Sequence, residues 1–530
     1  MKKLALALLV LSAAFTIGGC ADAHAGSSLP QQQAEETQAL AESQITANLT
    51  KEVEIFLSDQ GSSATDSSVT ISGSTVIVTQ GGDYRITGSL SDGQIVVKAE
   101  DTEKVKLVLD GVQISKEGSA AIYAVSADKL VLASEADQIN RLESTGSFVQ
   151  TDENNVDAVI FAKCDLNLDG EGQVEILCET GHGVVSKDDL KVKDGSWTVS
   201  SAGKGLSGKD SFTMDSGDVT VESGGKGVWS GNEEDAEKGV IAIAGGNLTI
   251  RSEDDGIHSD NTTNISGGEL SISSGDDGIH ADNKLTILDG SIRITQSWEG
   301  LEAQVIDIQG GEIHILATDD GINAAGGNDG SNDFGQFGAD PFASDSGSAL
   351  SISGGTLVVD AGGDGLDVNG ALSISGGEVY VSGPTDNGNG ALDYGTNASI
   401  TGGTIIAAGS GGMAENFGSD STQGSILLHF SSAQAAGTTV SIADESGKVL
   451  ASFAPGKSYQ AVVISTAGME QGGTYTVNAG SISESIYLEQ LIYGNGRGFG
   501  GPGNRPSGAE GQTPGSGGVP AFPGSWKPRR

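Results

Sequence analysis

The chain has few basic residues, few aromatic residues and few cysteines. Only 28 Lys and Arg stand against 71 Asp and Glu in its 530 residues, so the formal net charge is −43. Nucleic acid is therefore not an expected partner, because phosphates are bound by clustered Lys and Arg. Beyond the N-terminus no apolar run reaches the roughly 18 residues of a transmembrane helix. The strongly acidic composition instead favours cations as partners, and ligands that bind through cations.

Glycine, by contrast, is abundant, with 82 residues. Each glycine inside a helix costs about 1 kcal/mol relative to alanine, so a large helical or Rossmann-type enzyme is disfavoured. The composition therefore argues against a helix-rich fold.

The N-terminus has the features of a bacterial lipoprotein signal. Lys2 and Lys3 precede an apolar stretch, and Ile17-Gly18-Gly19-Cys20 resembles a lipobox. We predict that residues 1–19 are a signal peptide, that Cys20 is lipidated, and that residues 20–50 are a polar tether. The protein would then be held at the extracellular face of the cell membrane by this lipid alone.

Two further cysteines, Cys164 and Cys178, remain in the mature chain. Outside the cytoplasm they could form a disulfide, but two small buried thiols are an equally good interpretation.

A repeated phrase predicts the fold. A glycine pair, a strand of alternating apolar residues and a polar turn lead to an acidic residue, a glycine and an aliphatic residue. The separations between successive turn glycines are 22, 22, 29, 22, 22, 21 and 44 residues. These glycines are Gly183, Gly205, Gly227, Gly256, Gly278, Gly300, Gly321 and Gly365.

Each repeat has room for about three short strands and cannot bury its aliphatic side chains alone. We therefore predict a right-handed parallel β-helix over residues 51–424, with turns of about 22 residues and glycines at corners that need positive φ. Residues 425–493 are predicted to form a small antiparallel β cap. The Gly/Pro-rich residues 494–530 are predicted to be disordered.

Aligning the repeats on the turn glycines brings acidic residues into register. Stacked strands lie about 4.8 Å apart, and two unit charges at that distance repel by roughly 3 kcal/mol at an effective dielectric of about 20. A counter-ion is needed, and oxygen ligands favour Ca²⁺. The alternative is that these are solvated turn residues. The candidate metal ligands are Asp254, Asp255, Asp260, Asp276, Asp277, Asp282, Glu299, Glu302, Asp319, Asp320, Asp364 and Asp367.

His258 and His280 occur in the same stack. They could contribute to a transition-metal site, but stacked histidines more often pair with neighbouring carboxylates, and we favour that interpretation.

Motifs for catalysis are scarce. Lys204 and Lys226 occupy the position of the acidic residues a few repeats earlier. A lyase that acts on uronates needs Ca²⁺ to acidify a proton and a base such as lysine to remove it. Salt bridges to nearby acids are the alternative role for both lysines. Trp229, Trp298 and Tyr394 are candidate platforms for sugar rings, although aromatic residues in such positions are also often buried.

Several ordered motifs together resemble the bacterial carbohydrate-binding domain-containing lipoproteins. They are GDYRITGSLSDGQIVV at residues 82–97, VKLVLDGV at 105–112, the repeated Asp-Asp-Gly-Ile-His and the Gly-rich tail. The resemblance covers about residues 50–495. It implies a calcium-carrying parallel β-helix, similar in fold to family 9 polysaccharide lyases, that binds cellulose or acidic pectin chains. The calcium positions that it implies are Asp254, Asp255, Asp276, Asp277, Asp319 and Asp320, and the pattern is broken at Trp298-Glu299.

Three functional hypotheses follow. The favoured one is a monomeric, non-catalytic surface protein that binds a pectin-like or cellulosic polysaccharide with the help of calcium. The second is a calcium-dependent polysaccharide lyase of the pectate type. The third is a structural rod or adhesin that binds a protein partner.

Overall fold

The computed structural model describes residues 52–325 and 347–494. All regular secondary structure in these ranges is β-strand, and they contain no helix that could cross a membrane. The predictions for the signal peptide, for Cys20 and the tether, and for all but the first residue of the tail lie outside the described residues. The predicted all-β architecture, with a large and mostly parallel sheet, is confirmed.

Most strands belong to three columns, in which strands of successive repeats pair in parallel. Column 1 contains Thr75–Val78, Gln94–Lys98, Ile122–Ser126, Ala158–Ala162, His182–Ser186, Leu206–Gly208, Val228–Ser230, Ile257–Ser259, the beginnings of Ile279–Ile287 and Leu301–Ile308, Ile322–Ala324, Leu366–Val368 and Leu392–Tyr394.

Column 2 lies next along the chain in each repeat. It contains Val53–Leu57, Gly82–Leu90, Lys104–Leu109, Lys129–Ser134, Asp165–Gly170, Asp189–Val192, Ser211–Met214, Val240–Ile243, Thr262–Ile265, the ends of Ile279–Ile287 and Leu301–Ile308, Ala349–Ile352, Ala371–Ile374 and Asn397–Ile400.

Column 3 completes each repeat. It contains the end of Gly82–Leu90, Gln113–Glu117, Ile139–Thr145, Gln173–Cys178, Ser196–Ser201, Asp218–Ser223, Asn247–Ser252, Glu269–Ser273, Ser291–Gln296, Glu312–Ala317, Thr356–Ala361, Glu378–Ser382 and Thr404–Gly409.

Alternation of side chains along each strand creates one long core. In Asn247–Ser252, Leu248 and Ile250 are buried while Asn247 and Thr249 are exposed. The residues opposite them in the next strand, Leu270 and Ile272, are also buried. In all three columns, aliphatic side chains thus pack on the aliphatic side chains at the same position of the next repeat. Cys164 and Cys178 are free and buried in this core.

The turn glycines have a different role from the one predicted. None of them has a positive φ, which belongs instead to a second set between columns 2 and 3 that includes Gly246 and Gly268. A Cβ on Gly256 would lie 2.4 Å from Cγ2 of Ile272 and 2.6 Å from the carbonyl oxygen of Gly278. These eight positions require glycine because the next repeat approaches each of them too closely for a side chain.

The C-terminal region changes from parallel to antiparallel pairing. Thr404–Gly409, the last strand of column 3, pairs with Tyr459–Ser465, which in turn pairs with Ser425–Gln434. Ile492–Tyr493 runs parallel to Ser425–Gln434. A separate antiparallel sheet contains Val440–Ala443, Val449–Phe453, Thr474–Ala479 and Ile482–Tyr487. At the opposite end, Ser63–Ala64 and Val69–Ser72 form antiparallel pairs with Val53–Leu57 and Thr75–Val78.

Candidate functional site

The predicted site residues meet where the chain enters column 1. Parallel pairing stacks the residues two places after the turn glycines, in the order Trp229, His258, His280, Glu302, Asn323, Asp367 and Asp393. The residues just before the turn glycines lie beside them. The stack divides into two segments with different electrostatics.

The first, which we call the histidine segment, contains Lys226, Asp254, Asp255, Asp260, Asp276, His258, Asp277, His280, Asp282 and Glu302. Lys226 Nζ lies 3.1 Å from Oδ1 of Asp254 and also contacts Oδ2 of Asp255. Oδ2 of Asp255 is 2.7 Å from Nδ1 of His258. The buried carboxylate of Asp255 therefore has two cationic or hydrogen-bonding partners from the protein itself.

The next repeat has the same arrangement. His280 Nδ1 is 3.1 Å from Oδ2 of Asp277 and 2.8 Å from Oε2 of Glu302, and its Nε2 is 3.2 Å from Oδ1 of Asp282. The rings of His258 and His280 stack with centroids 4.4 Å apart. Each imidazole thus lies among carboxylates, as predicted from the stacking of the histidines.

The pKa values reflect this pairing. Burial alone would raise the pKa of Asp255, but the hydrogen bond from His258 and the charge of Lys226 hold it well below its usual range. Burial would lower the pKa of His280, but hydrogen bonds to Asp277, Asp282 and Glu302 raise it well above its usual value. At neutral pH the histidine segment carries positive charges that offset its carboxylates.

The second, which we call the carboxylate segment, contains Glu299, Asp319, Asp320, Asp364, Asp367, Asp393 and Glu415. Oxygens of Asp320, Asp364 and Asp367 lie within 4.8 Å of one another. No Lys, Arg or His nitrogen of the described residues lies within 4 Å of a carboxylate of this segment.

Burial and mutual repulsion act in the same direction here. Burial, followed by the charges of neighbouring acids, raises the pKa values of Asp320, Asp364 and Asp367 to about 7. Burial and the charges of Glu302 and Asp277 raise the pKa of Glu299 to about 9, against a hydrogen bond from Asn323. These carboxylates lack the counter-charge that the histidine segment has.

The donor atoms of the carboxylate segment suit a hard cation. Asp320, Asp364 and Asp367 supply converging carboxylate oxygens, and Ca²⁺ takes about 6 to 8 oxygen ligands in flexible geometry. Nearby, the side-chain oxygen of Asn323 is buried and accepts no hydrogen bond from the described residues. A buried oxygen without a donor is available to coordinate a cation.

The sequence analysis did not identify two residues of the carboxylate segment, Asp393 and Glu415. Asp393 pairs with Asp367, but Ala391 replaces the turn glycine on which the repeats were aligned. Glu415 lies outside the repeats, and burial followed by the charge of Asp393 raises its pKa to about 7. Strand pairing with Asp367 could have identified Asp393, whereas no sequence signal marks Glu415.

The three predicted aromatic residues have different environments. The ring of Trp229 is covered on one face by Nζ of Lys204, 3.2 Å from its centroid, and its Nε1 donates to Asp260. The hydroxyl of Tyr394 donates to the carbonyl of Asn416, and the ring packs against the core. Trp298 is 52% exposed and lies between Asp276 and Asp319, at the boundary of the two segments. It has the freest ring of the three.

Comparison with known proteins identifies the relatives of this chain. Residues 72–327 match the family described as "Carbohydrate-binding domain-containing protein". A curated relative of that description from Acetivibrio thermocellus is 30% identical over 149 residues, which are 28% of this chain and 52% of the relative. The chain thus spans about half the length of this curated relative. For residues 72–327, the resemblance to carbohydrate-binding domain-containing proteins that the sequence motifs indicated is confirmed.

A solved structure is also similar. It is described as the polysaccharide lyase-like protein from C. thermocellum in a gadolinium derivative. It is 29% identical to this chain, covers 44% of this chain and 96% of its own, and superposes with a TM-score of 0.44.

Proposed function

We propose that this protein is a non-catalytic, calcium-binding lipoprotein of the cell surface that binds polysaccharide. The family to which residues 72–327 are matched supports a carbohydrate ligand. Acidic pectin-like chains are the ligands that best suit the site, because a bound cation can bridge a uronate carboxylate to aspartate. Cellulosic chains are the neutral alternative.

One observation carries the calcium proposal. The oxygens of Asp320, Asp364 and Asp367 converge to within 4.8 Å without a protein cation from the described residues nearby. Two unit charges about 4.8 Å apart repel by roughly 3 kcal/mol at an effective dielectric of about 20. A divalent cation would reverse the sign of that interaction, and its remaining coordination positions could accept sugar oxygens.

The finer parts of the proposal extend the sequence predictions. A signal peptide at residues 1–19, lipidation of Cys20 and a tether would hold the binding unit outside the membrane. The stacked columns would form a right-handed parallel β-helix with turns of about 22 residues, which the antiparallel C-terminal strands would close. We propose that the mature protein is a monomer.

A glycan array with and without chelator tests the proposed function. We expect binding to polygalacturonate in calcium and a large decrease in excess chelator. Carbohydrate binding that chelator leaves unchanged would contradict the role of calcium. Binding to no glycan in either condition would favour the structural rod or adhesin.

A lyase is the second candidate because of one specific feature. Burial lowers the pKa of Lys204 to about 8, which is closer to the range of a general base than an ordinary lysine. The other candidate base is worse, since Asp255 and Asp254 raise the pKa of Lys226 despite its burial. Steady formation of unsaturated uronate products, absent in Lys204→Ala, would establish this alternative.

A further inference from the structure

Lys204 and Lys226 occupy equivalent positions in successive repeats but have different partners. Lys226 is paired with Asp254 and Asp255. Lys204 has no carboxylate of the described residues within 4 Å of its ammonium, which instead lies 3.2 Å from the ring centroid of Trp229. In a chain with 71 acidic and 28 basic residues, a half-buried lysine without an acidic partner is unexpected.

The contact with Trp229 does not fully offset the free-energy cost of burying the charge of Lys204. A charge removed from water is costly unless it is paired, and a cation over an aromatic ring recovers only about 0.5 to 2 kcal/mol. Burial is the main reason why the pKa of Lys204 is lowered, and the charges of Lys226 and Lys187 add to that effect while Asp260 opposes it. A bound anion would supply the missing counter-charge.

A second lysine lies close enough to influence the first. Lys187 is exposed, has its Nζ 5.3 Å from the ring centroid of Phe161, and likewise has no carboxylate of the described residues within 4 Å. The side chain of His182 accepts the backbone N–H of Lys204 through Nδ1. Burial and the two lysines lower the pKa of His182, while Asp157 opposes them. This region therefore has two ammonium groups that no carboxylate of the described residues contacts, although the charges of Asp157 and Asp260 also act on it.

We propose that Lys204, with its ammonium over the ring of Trp229, binds the carboxylate of an acidic saccharide directly, without calcium, and that Lys187 contributes positive charge at longer range. This anion subsite rests on the proposed polysaccharide-binding function and deepens it. It lies five repeats from Asp320, or about 24 Å at about 4.8 Å per stacked strand. One polyuronate chain would then meet a cation of the protein near Leu206–Gly208, the sixth strand of column 1, and a bound calcium ion farther along.

The test measures polygalacturonate affinity by calorimetry in excess chelator and again in calcium. Lys204→Met keeps the volume of the side chain and removes the charge, so we expect a folded protein whose affinity in chelator is about tenfold weaker. Lys209→Met is the matched control, because Lys209 follows the other end of the same strand, Leu206–Gly208, and is already paired with Glu234 at 2.6 Å. Fully methyl-esterified polygalacturonate should show no dependence on Lys204.

A spectroscopic measurement guards against indirect effects. In protein with ¹³C-labelled lysine, the Cε resonance that is missing in Lys204→Met should shift when galacturonate is added in chelator. Equal affinities of wild type and Lys204→Met, with no such shift, would overturn the subsite. A response to a sulfated polysaccharide but not to polygalacturonate would overturn the assignment to a carboxylate.

The two proposals can fail separately. Calcium-dependent binding that Lys204→Met leaves unchanged would remove the anion subsite and leave the proposed function intact. Binding that depends on Lys204 but never on calcium would support the subsite and contradict the role of calcium.

Discussion

The histidine segment and the carboxylate segment have the same backbone arrangement but opposite solutions to crowded negative charge. In the first, Lys226, His258 and His280 contact the buried acids directly. In the second, the partners of Asp320, Asp364 and Asp367 among residues 52–325 and 347–494 are other acids and backbone donors such as the N–H of Asp364. A row of aspartates in register is therefore not evidence for a row of metal ions, because the protein supplies its own cations to half of it.

The boundary between the segments coincides with the break in the repeat. Trp298 replaces an aspartate there, and its backbone joins Asp276 on one side to Asp319 on the other through hydrogen bonds of 2.8 and 3.0 Å. An exposed aromatic ring between the self-neutralised acids and the uncompensated ones is well placed to contact a ligand of the latter.

The strongest test of the comparison removes the cation of the histidine segment. Lys226→Met leaves the fully buried Asp255 without its ammonium, and we expect a loss of about 3 kcal/mol in the free energy of unfolding. Urea unfolding measures it. Lys129→Met is the control, because its partner Asp165 is partly exposed and the pair should contribute less than about 1 kcal/mol.

Two results would change the picture. A loss no larger than that of the control would show that Lys226 is not the required counter-charge. Recovery of the lost stability by calcium would show that this segment also accommodates a metal ion once the ammonium is gone.

The converse test concerns the carboxylate segment. Saturating calcium should raise the melting temperature of the wild type by several degrees, since a ligand at about 100 times its Kd stabilises by about 2.7 kcal/mol. Asp367→Asn should lose this increase, yet in chelator it should be more stable than wild type because one repulsive charge is gone. Asp386→Asn, at an exposed turn, is the control and should match the wild type. A wild-type melt that is indifferent to chelator would be the contrary result.

The two segments should also respond to pH in different windows. The pKa values of Asp320, Asp364 and Asp367 rise from 3.8 to about 7 on folding, so their contribution is favourable at low pH and is lost as the pH rises from about 4 through 7. Each group can account for up to about 1.4 kcal/mol per pH unit. Calcium should abolish this loss. We therefore expect melting temperatures with and without calcium to diverge between pH 4 and 7.

The contribution of His280 to stability should be lost at a higher pH than that of the carboxylate segment. The pKa of His280 is raised from 6.5, so its stabilisation is complete below pH 6.5 and declines only as the pH rises toward the folded value. Calcium should not affect this decline, and His280→Gln should remove it. If calcium abolishes the decline above pH 6.5, the ion binds in the histidine segment and not in the carboxylate segment, contrary to this prediction.

The smallest expected effect on stability is at the boundary. Trp298→Ala should change the free energy of unfolding by less than about 0.5 kcal/mol because the ring is half-exposed. Its affinity for polysaccharide, measured by calorimetry, should fall by about 1 kcal/mol if the ring stacks on a sugar. Leu316→Ala removes a similarly exposed apolar side chain and is the control. Equal affinities of the two variants would remove Trp298 from the binding surface.

Much of the architecture could be predicted because the repeat is explicit. The alternation of Leu248 and Ile250 with polar residues, and its recurrence at Leu270 and Ile272, is enough to predict strands that stack in parallel. The function of the turn glycines could not be predicted, since close approach of the next repeat at Gly256 leaves the same sequence signature as a positive φ.

The division of the acidic stack into two segments was harder to predict from the sequence. The sequence places Lys226 and the two histidines near the acids, but which oxygen each nitrogen reaches depends on side-chain geometry. The pairing of Lys204 with Trp229 rather than with an acid has the same origin. Glu415 joins the carboxylate segment from outside the repeat, so no periodicity could have indicated it.

The stacked turn glycines also restrict how the gene can change in length. Because each of these glycines lies against the backbone of the next repeat, a residue added or removed beside it would disturb two repeats at once. The repeat that follows Gly227 is longer than its neighbours. Its additional residues lie between Val228–Ser230 and Val240–Ile243, at the corner from column 1 to column 2. Insertions and deletions among relatives should therefore concentrate at this corner or comprise whole repeats, and a foreign peptide grafted there would be the one most easily displayed.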